Sequence, residues 1–374
     1  MKKALIAMSG GVDSSVAAKM MVDDGYECIG CTMKLFENED AGISREKACC
    51  SLDDVDDAGK VAARLGMRYY VFNFTHEFRQ QVMDKFVQSY MQGKTPNPCI
   101  DCNRYLKFDK LLRRAHELDC DCVVTGHYAR IEQDSQTGKY LLRKGLDPKK
   151  DQSYVLYNLT QGQLAHIKMP LGGMTKVEVR ALADASGFVN AEKPDSQDIC
   201  FVPDGDYATM IERYTGEEFP KGEFIDLEGN VIGTHKGIIH YTIGQHKRLG
   251  QAFGVPRYVC RIDAAANQIA LGGPNDVFSS YTKVEDFNWI SGEVPEGEIR
   301  CKVKLRYKQQ EQWATCRPVR KVNESGSEAA LENNNDSNAV ELFFDEPQRA
   351  ITPGQAAVLY DGDIVLGGGT IVIE

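Results

Sequence analysis

Over the first 205 or so residues the apolar positions switch repeatedly between the period of a strand and that of a helix. Lys3 to Met8 is a short apolar run, residues 13–24 repeat with helical spacing, and residues 26–35 are β-rich. Ser51-Leu52-Asp53-Asp54 then predicts a helix to about Leu65, with Ser51 as its cap and acids near the positive end of its dipole. Residues 68–74 predict a strand, 76–92 a long helix, 104–118 another helix and 121–125 a further strand. This alternation implies α/β architecture, a parallel sheet covered on both faces, with ligands at the carboxyl ends of its strands.

After about residue 215 the texture changes to short β-rich runs separated by turns such as Glu228-Gly229-Asn230, Gly272-Gly273-Pro274-Asn275 and Asp361-Gly362-Asp363. The expected organisation is a Rossmann-like domain over 1–205, a small central connecting domain over 206–279 and a β-barrel over 280–374. The stretch Asn323 to Asn338 carries too little apolar content to pack, and predicts a disordered hairpin tip.

Composition removes several classes. A chain of 374 residues with 42% hydrophobic and 26% charged residues builds sizeable cores, and no apolar run approaches the ~18–20 residues of a membrane span. The apolar start is cut at once by Ser9-Gly10-Gly11 and Asp13, unlike a signal peptide, so the expected location is the cytoplasm. A net charge of −10 argues against a protein that coats nucleic acid. Residues 236–321 depart from that average, with 14 Lys/Arg against 8 Asp/Glu, a bias suited to phosphate contacts with a folded RNA.

Between the first strand and the first helix stands Ser9-Gly10-Gly11-Val12-Asp13-Ser14-Ser15. Paired glycines let the backbone turn tightly against an anion, while the N–H groups of the turn and the helix start supply donors. A Walker loop would end in Lys-Ser/Thr and a dinucleotide loop would be spaced G-x-G-x-x-G; neither is present. The motif resembles the PP-loop of the ATP pyrophosphatases, which split ATP to AMP and pyrophosphate while adenylating a carbonyl oxygen. That resemblance implies that Ala7, Met8, Ser9, Gly10, Gly11, Val12, Asp13, Ser14 and Ser15 hold ATP, with Mg²⁺ as its companion.

Twelve cysteines in a chain of this kind point to buried thiols, metal or cluster ligands, or sulfur chemistry. Cys28 and Cys31 share a strand-like run in which i and i+3 face opposite ways, so they predict core thiols. Cys120, Cys122, Cys260, Cys301 and Cys316 also read as core, and the adjacent Cys49-Cys50 carry no assignable role. Cys102 is expected just before a helix beginning near Asn103, beside Arg104 and Lys107, a setting that predicts a lowered thiol pKa. Cys200 falls in a polar loop before a helix expected near Asp204.

Taken in order, Ser9 to Ser15, Thr95-Pro-Asn-Pro98, Cys102-Asn103, Lys107-Phe108, Thr125-Gly-His-Tyr128, Lys150-Asp-Gln-Ser-Tyr154, Asp195-Ser196, Ile199-Cys200-Phe201, Thr352-Pro-Gly-Gln355 and Leu366-Gly-Gly-Gly369 span nearly the whole chain. Together they resemble the tRNA-specific 2-thiouridylase family, MnmA. The resemblance implies ATP-dependent sulfur insertion at C2 of the wobble uridine, position 34, of tRNAs for Lys, Glu and Gln. It maps a persulfide-bearing cysteine to Cys200 and a second catalytic thiol to Cys102, which would close a Cys102–Cys200 disulfide as sulfur is released. Met33 and Gly126 would contact the nucleotide, and Asn97, Pro98 and Cys99 the target base. His127, Lys150, Asp151, Gln152, Arg306, Tyr307 and Gln355 would touch tRNA. The sulfur would come from a cysteine desulfurase or a relay protein.

One position departs from the family pattern. Many members carry Asp directly after Asn-Pro, where this chain has Cys99. Cys99, Cys102 and Cys200 are three thiols, enough for a [4Fe–4S] cluster with one open iron, so that route stands beside the persulfide route. A PP-loop enzyme adenylating a small molecule and a non-catalytic cysteine-rich RNA- or metal-binding protein are the further alternatives. The basic C-terminal half argues against the former, and the nucleotide loop against the latter.

Overall fold

The computed structural model describes residues 1–37, 49–194, 199–319 and 338–372, with the backbone alone for 49–52. Its first layer is a parallel sheet of β1 (Lys3–Ala7), β2 (Glu27–Lys34), β3 (Arg68–Asn73), β4 (Cys122–Val124) and β7 (Ile167–Lys168), in spatial order β3-β2-β1-β4-β7. All four pairings are parallel. The order reverses between β1 and β4, the switch point where an open α/β sheet leaves a crevice above its carboxyl edge.

Both faces are covered, and Cys28 and Cys31 prove the alternation. Cys31 packs with Leu5, Phe78, Val82 and Phe86 on one face, while Cys28 packs with Ile6, Val16, Ala58 and Val61 on the other. The second face is roofed by α1 (Val12–Asp23), α2 (Cys49–Arg64) and the helix Lys176–Ala185. The first is roofed by helical stretches over 75–91 and 98–117, each with turns wound as π-helix, Arg79–Met83 and Cys102–Lys110.

Two helix starts differ from the sequence expectation. α2 is already helical at Cys49, so Ser51 lies inside it and is no cap; the Cys49 and Cys50 side chains lie outside the described residues. The later helix begins at Pro98, with Asn97 capping it through Oδ1, which accepts from the Cys99 amide at 3.2 Å. Proline breaks a helix interior but suits its first position, where no amide is needed.

A four-stranded sheet follows, ordered β10 (Tyr258–Asp263), β11 (Gln268–Gly272), β8 (Gly222–Ile225), β9 (Val231–His235). Its Phe224, Val259, Ile269 and Leu271 join the same core as Leu5, Phe86 and Phe201, so the central and first units share one interior. The last unit is a closed barrel of six strands: β12 (Phe278–Trp289), β15 (Ala339–Arg349), β14 (Gln312–Val319), β13 (Ile299–Lys304), β16 (Ala356–Asp361) and β17 (Ile364–Val372), with β17 returning to β12. The expected hairpin tip within 323–338 falls, but for Asn338, outside the described residues.

The barrel was expected from the C-terminal residues alone, yet the first unit adds to its sheet. A hairpin of β5 (Ala129–Gln133) and β6 (Tyr140–Lys144) lies beside β17, where Arg143 pairs with Ile364 and the Lys144 amide donates to the Asp363 carbonyl at 2.8 Å. Arg130 and Arg143 both reach the Asp363 carboxylate, at 2.5 and 2.6 Å.

Candidate active site

The turn after β1 is built for an anion. Gly10 has φ +74°, and a Cβ there would lie 2.4 Å from the Asp54 carbonyl oxygen on α2, so no other residue fits. Ser14 Oγ and Ser15 Oγ donate back to the Gly11 carbonyl at 3.0 and 3.1 Å, and the buried Asn190 amide donates to the Gly10 carbonyl and to Ser15 Oγ, both at 2.9 Å. The turn is therefore held rigid from behind. The Gly11 side of α1 has no side-chain cap, which leaves its first N–H groups for a ligand.

Asp13 takes the place of the missing Walker lysine's partner in an unexpected way. Its carboxylate accepts from Lys176 Nζ at 2.7 and 2.8 Å and from Tyr128 Oη at 2.7 Å. Lys176 is buried, and it opens a helix capped by a Thr175/Glu178 capping box. Thus a cation reaches the loop from another element.

The thiols form the second half of the site. Phe201 is fully buried, edge-on to Phe78 and Phe86 at 5.7 and 5.3 Å, and so anchors the neighbouring Cys200 on the helical stretch 75–91, near enough to Cys102 and Cys99 to feel their charge. On the other flank, Lys193 binds Asp54 and Asp57 of α2 at 2.5 and 2.9 Å. Asp195 and Ser196, between these anchors, lie outside the described residues. Cys99 and Cys200 keep part of their surface open to solvent, and Cys102 is half-buried. Each is a free thiol.

The expected low pKa of Cys102 is corrected by this setting. Burial pushes its thiol up to about 11, with Lys107 opposing and the Cys99 and Asp101 charges adding to the rise. Four residues inside its helix, Cys102 is too far along to gain from the helix dipole. Arg104 spends its charge on Asp286. Cys200 is raised further, by burial and then by the nearby Cys102 and Cys99. Lys107 is the cation that lowers all three thiols.

The two halves meet at the end of β4. A Cβ on Gly126 would come within 2.9 Å of the Asp13 backbone, whereas the next residue, His127, packs its ring 5.8 Å from Phe108 on the thiol helix. Consecutive residues of one strand end therefore pack on the phosphate cradle and on the helix that carries Cys102.

With that geometry in place, likeness to known proteins can be weighed. Residues 2–204 match the model described as tRNA methyl transferase HUP domain, 208–273 its PRC-barrel domain, and 279–371 the aminomethyltransferase β-barrel domain. Proteins named tRNA-specific 2-thiouridylase MnmA from Clostridioides difficile and Acetivibrio thermocellus are 46% and 48% identical, over 99% of this chain and 98% and 99% of theirs. One from Thermoanaerobacter sp. strain X514 is 50% identical over 99% of this chain and 97% of its own. The chain belongs to the tRNA-specific 2-thiouridylase family.

As a member of the thiouridylase family it is a tRNA-uridine 2-sulfurtransferase of PP-loop type, an α/β enzyme with a barrel at its C-terminus. Among the described residues, no helix is long and apolar enough to cross a membrane.

The structure sorts the residues that the sequence assigned to ligands. Ala7, Met8 and Val12 form the strand end and helix start of the cradle, Met8 being buried with its carbonyl accepting from Thr32 Oγ1 at 2.7 Å. Met33 lies near the carboxyl end of β2, opposite Phe72. Pro98 is buried at its helix start. Arg306 lies in a turn and donates to the Ala350 carbonyl and to Thr352 Oγ1; beside it Tyr307 is 37% exposed, and burial raises its phenol, with Asp151 and Cys99 adding to the rise. The barrel thus reaches the thiol cleft through Tyr307.

Four of the residues expected to touch tRNA are held by hydrogen bonds within the protein. His127 is buried, with Nδ1 bonded to Thr125 Oγ1 at 2.8 Å, and burial keeps its imidazole neutral. Asp151 accepts from the Gly145 and Ser153 amides at 3.0 and 3.1 Å, and its 6% exposed side chain offers RNA phosphates nothing but like charge. Gln355 donates to the Thr95 carbonyl at 2.7 Å, tying barrel to thiol loop. Gln152 likewise accepts from the Tyr128 amide at 3.0 Å, and Lys150 remains half-buried.

Cys99, Cys102 and Cys200, the residues that would hold a [4Fe–4S] cluster, are all free thiols. Among the described residues no three His, Cys, Asp or Glu side chains come together as a metal-holding group, Cys99, Cys102 and Cys200 included, and no step below passes through a cluster.

Proposed function

We propose that the protein converts the wobble uridine at position 34 of tRNAs for Lys, Glu and Gln to 2-thiouridine, using ATP and a persulfide on Cys200. The observation that supports this reading is the junction at Gly126 and His127, where one residue packs on the cradle and the next on the helix that carries Cys102. A reaction that needs ATP and sulfur on one base needs that proximity.

The C2 oxygen of a uracil is a poor leaving group. Attack of that oxygen on the α-phosphorus of ATP expels pyrophosphate into the cradle of Gly10, Gly11, Ser14 and Ser15, and leaves C2 bonded to AMP. Mg²⁺ would arrive with the ATP phosphates. The terminal sulfur of Cys200–S–SH then attacks C2, and AMP departs with the electron pair of the C–O bond. Thiolate Cys102 next attacks Cys200 Sγ, so the S–S bond breaks toward the base and leaves C2 as the thione. The product on the protein is a Cys102–Cys200 disulfide, which a dithiol reductant reopens.

Thiols as weakly acidic as Cys102 and Cys200 are poor nucleophiles at neutral pH. Loading a persulfide on Cys200, from a cysteine desulfurase or a relay protein, supplies a more acidic sulfur without changing the pocket. The test is formation of 2-thiouridine by purified protein given ATP, Mg²⁺, tRNA and a persulfide source. Cys102→Ser and Cys200→Ser are each expected to abolish the product while ATP binding persists; full activity in either variant would overturn the reading.

A further inference from the structure

The chain has two tryptophans. Trp289 is buried at 7% exposure, whereas Trp313 stands 49% exposed on the outer face of the barrel. Burying an indole repays its large apolar surface, so a half-exposed one on a regular strand marks a surface awaiting contact. Around this one the neighbours are cations. Arg300 Cζ and Lys302 Nζ each lie 5.3 Å from the ring centroid, placed there by the β13–β14 register, which sets Lys302 opposite Trp313 and Arg300 opposite Thr315.

Charge on this face is not self-cancelling. Arg300 pairs with Asp345, but Lys302 has no carboxylate partner among the described residues. The same strand leads back to the thiol cleft. It ends at Lys304, and the turn that follows carries Arg306 and Tyr307, the latter close enough to Cys99 to feel its charge.

We propose that Trp313, with Lys302 and Arg300, is a stacking site for an unpaired nucleotide of the same tRNA loop that presents the target uridine. The base lies on the indole face, and a displaced cation moves to the flanking phosphate. An aromatic face accepts any base, and a cation beside it accepts the backbone, which is how single-stranded RNA is held without sequence readout. This proposal rests on the tRNA thiolation reading, and it adds a contact outside the family motifs that the sequence carries.

Binding of a fluorescently labelled anticodon stem–loop and of whole tRNA to the full-length protein tests it. Trp313→Ala is expected to weaken binding roughly 5- to 100-fold, Trp313→Phe to retain most of it, and Lys302→Glu to weaken it and flatten its salt dependence. RNA is also expected to quench indole fluorescence in the wild type, and to lose most of that effect in Trp313→Phe. Wild type that binds no tRNA would defeat the thiolation reading itself. Wild type that binds while Trp313→Ala binds equally well defeats this proposal alone. If Trp313→Ala binds RNA normally yet loses only turnover supported by a protein sulfur donor, the surface belongs to that donor and the RNA assignment falls.

Discussion

Lys176 donates to both carboxylate oxygens of Asp13, at 2.7 and 2.8 Å, across 163 residues of chain. A buried ammonium aimed at a phosphate loop is positioned to meet charge that develops as pyrophosphate leaves. Lys176→Met is expected to cut tRNA-dependent pyrophosphate release about 100-fold. It also strands Asp13, at a cost of about 3 kcal/mol in stability. The double variant Asp13→Asn/Lys176→Met should regain much of that stability and none of the activity. Recovery of turnover in the double variant would show the pair to be structural only.

The thiols should be sluggish in the resting protein. With Cys102 at about 11 and Cys200 raised further, iodoacetamide labelling of both is expected to keep climbing between pH 7 and 10. Mass-spectrometric quantification of each modified peptide reads this directly. A plateau near pH 7 would mean that the pocket activates its thiols after all.

Lys107 is the cation shared by Cys99, Cys102 and Cys200. Lys107→Met should slow sulfur delivery by about 10-fold, since each pKa unit changes the thiolate fraction tenfold. Pyrophosphate release on the first turnover should remain near normal, because the cradle lies on the other side of His127. Equal loss in both steps would count against this division of labour.

Asp101 titrates against the usual sense. Burial, with Asp286 adding and Lys85 and Arg104 opposing, raises its carboxyl from 3.8 to about 6. Between those values the folded protein binds a proton that the unfolded chain does not, so this group's contribution to stability falls as pH rises from about 4 to 6 and stays low above. Asp101→Asn is expected to be more stable than wild type at pH 8, by about 2 kcal/mol, with a smaller difference at pH 5. Urea denaturation at the two pH values checks the sign; a variant less stable at pH 8 contradicts it.

Much of this site was legible along the chain, and for physical reasons. Gly10 and Gly11 fall between an apolar run and a helical period, and Cys28 and Cys31 sit at an odd spacing in a strand, so their places followed from local geometry. Local rules failed where burial decides. Cys102 looked acidic because two cations lie nearby in sequence, but one of them turns to Asp286 and the surrounding protein excludes water. His127 and Asp151 sit in motifs that suggest contacts, and what the motifs did not show is that the fold also holds both by internal hydrogen bonds. Lys176 was missed although a signal existed: Thr175-x-x-Glu178 marks a helix start after a parallel strand, and such starts gather at the edge where the PP-loop lies.

The hairpin carried by Arg130 and Arg143 has a consequence for how the chain is made. Its partner Asp363 lies 233 and 220 residues further on, beyond the whole central unit and most of the barrel. During synthesis the first unit can condense early, yet its hairpin edge stays unpaired until β17 has left the ribosome. Completion of the barrel then becomes the step that seals the first domain, so a polypeptide stopped short of β17 would hold a phosphate loop with an open strand edge beside it.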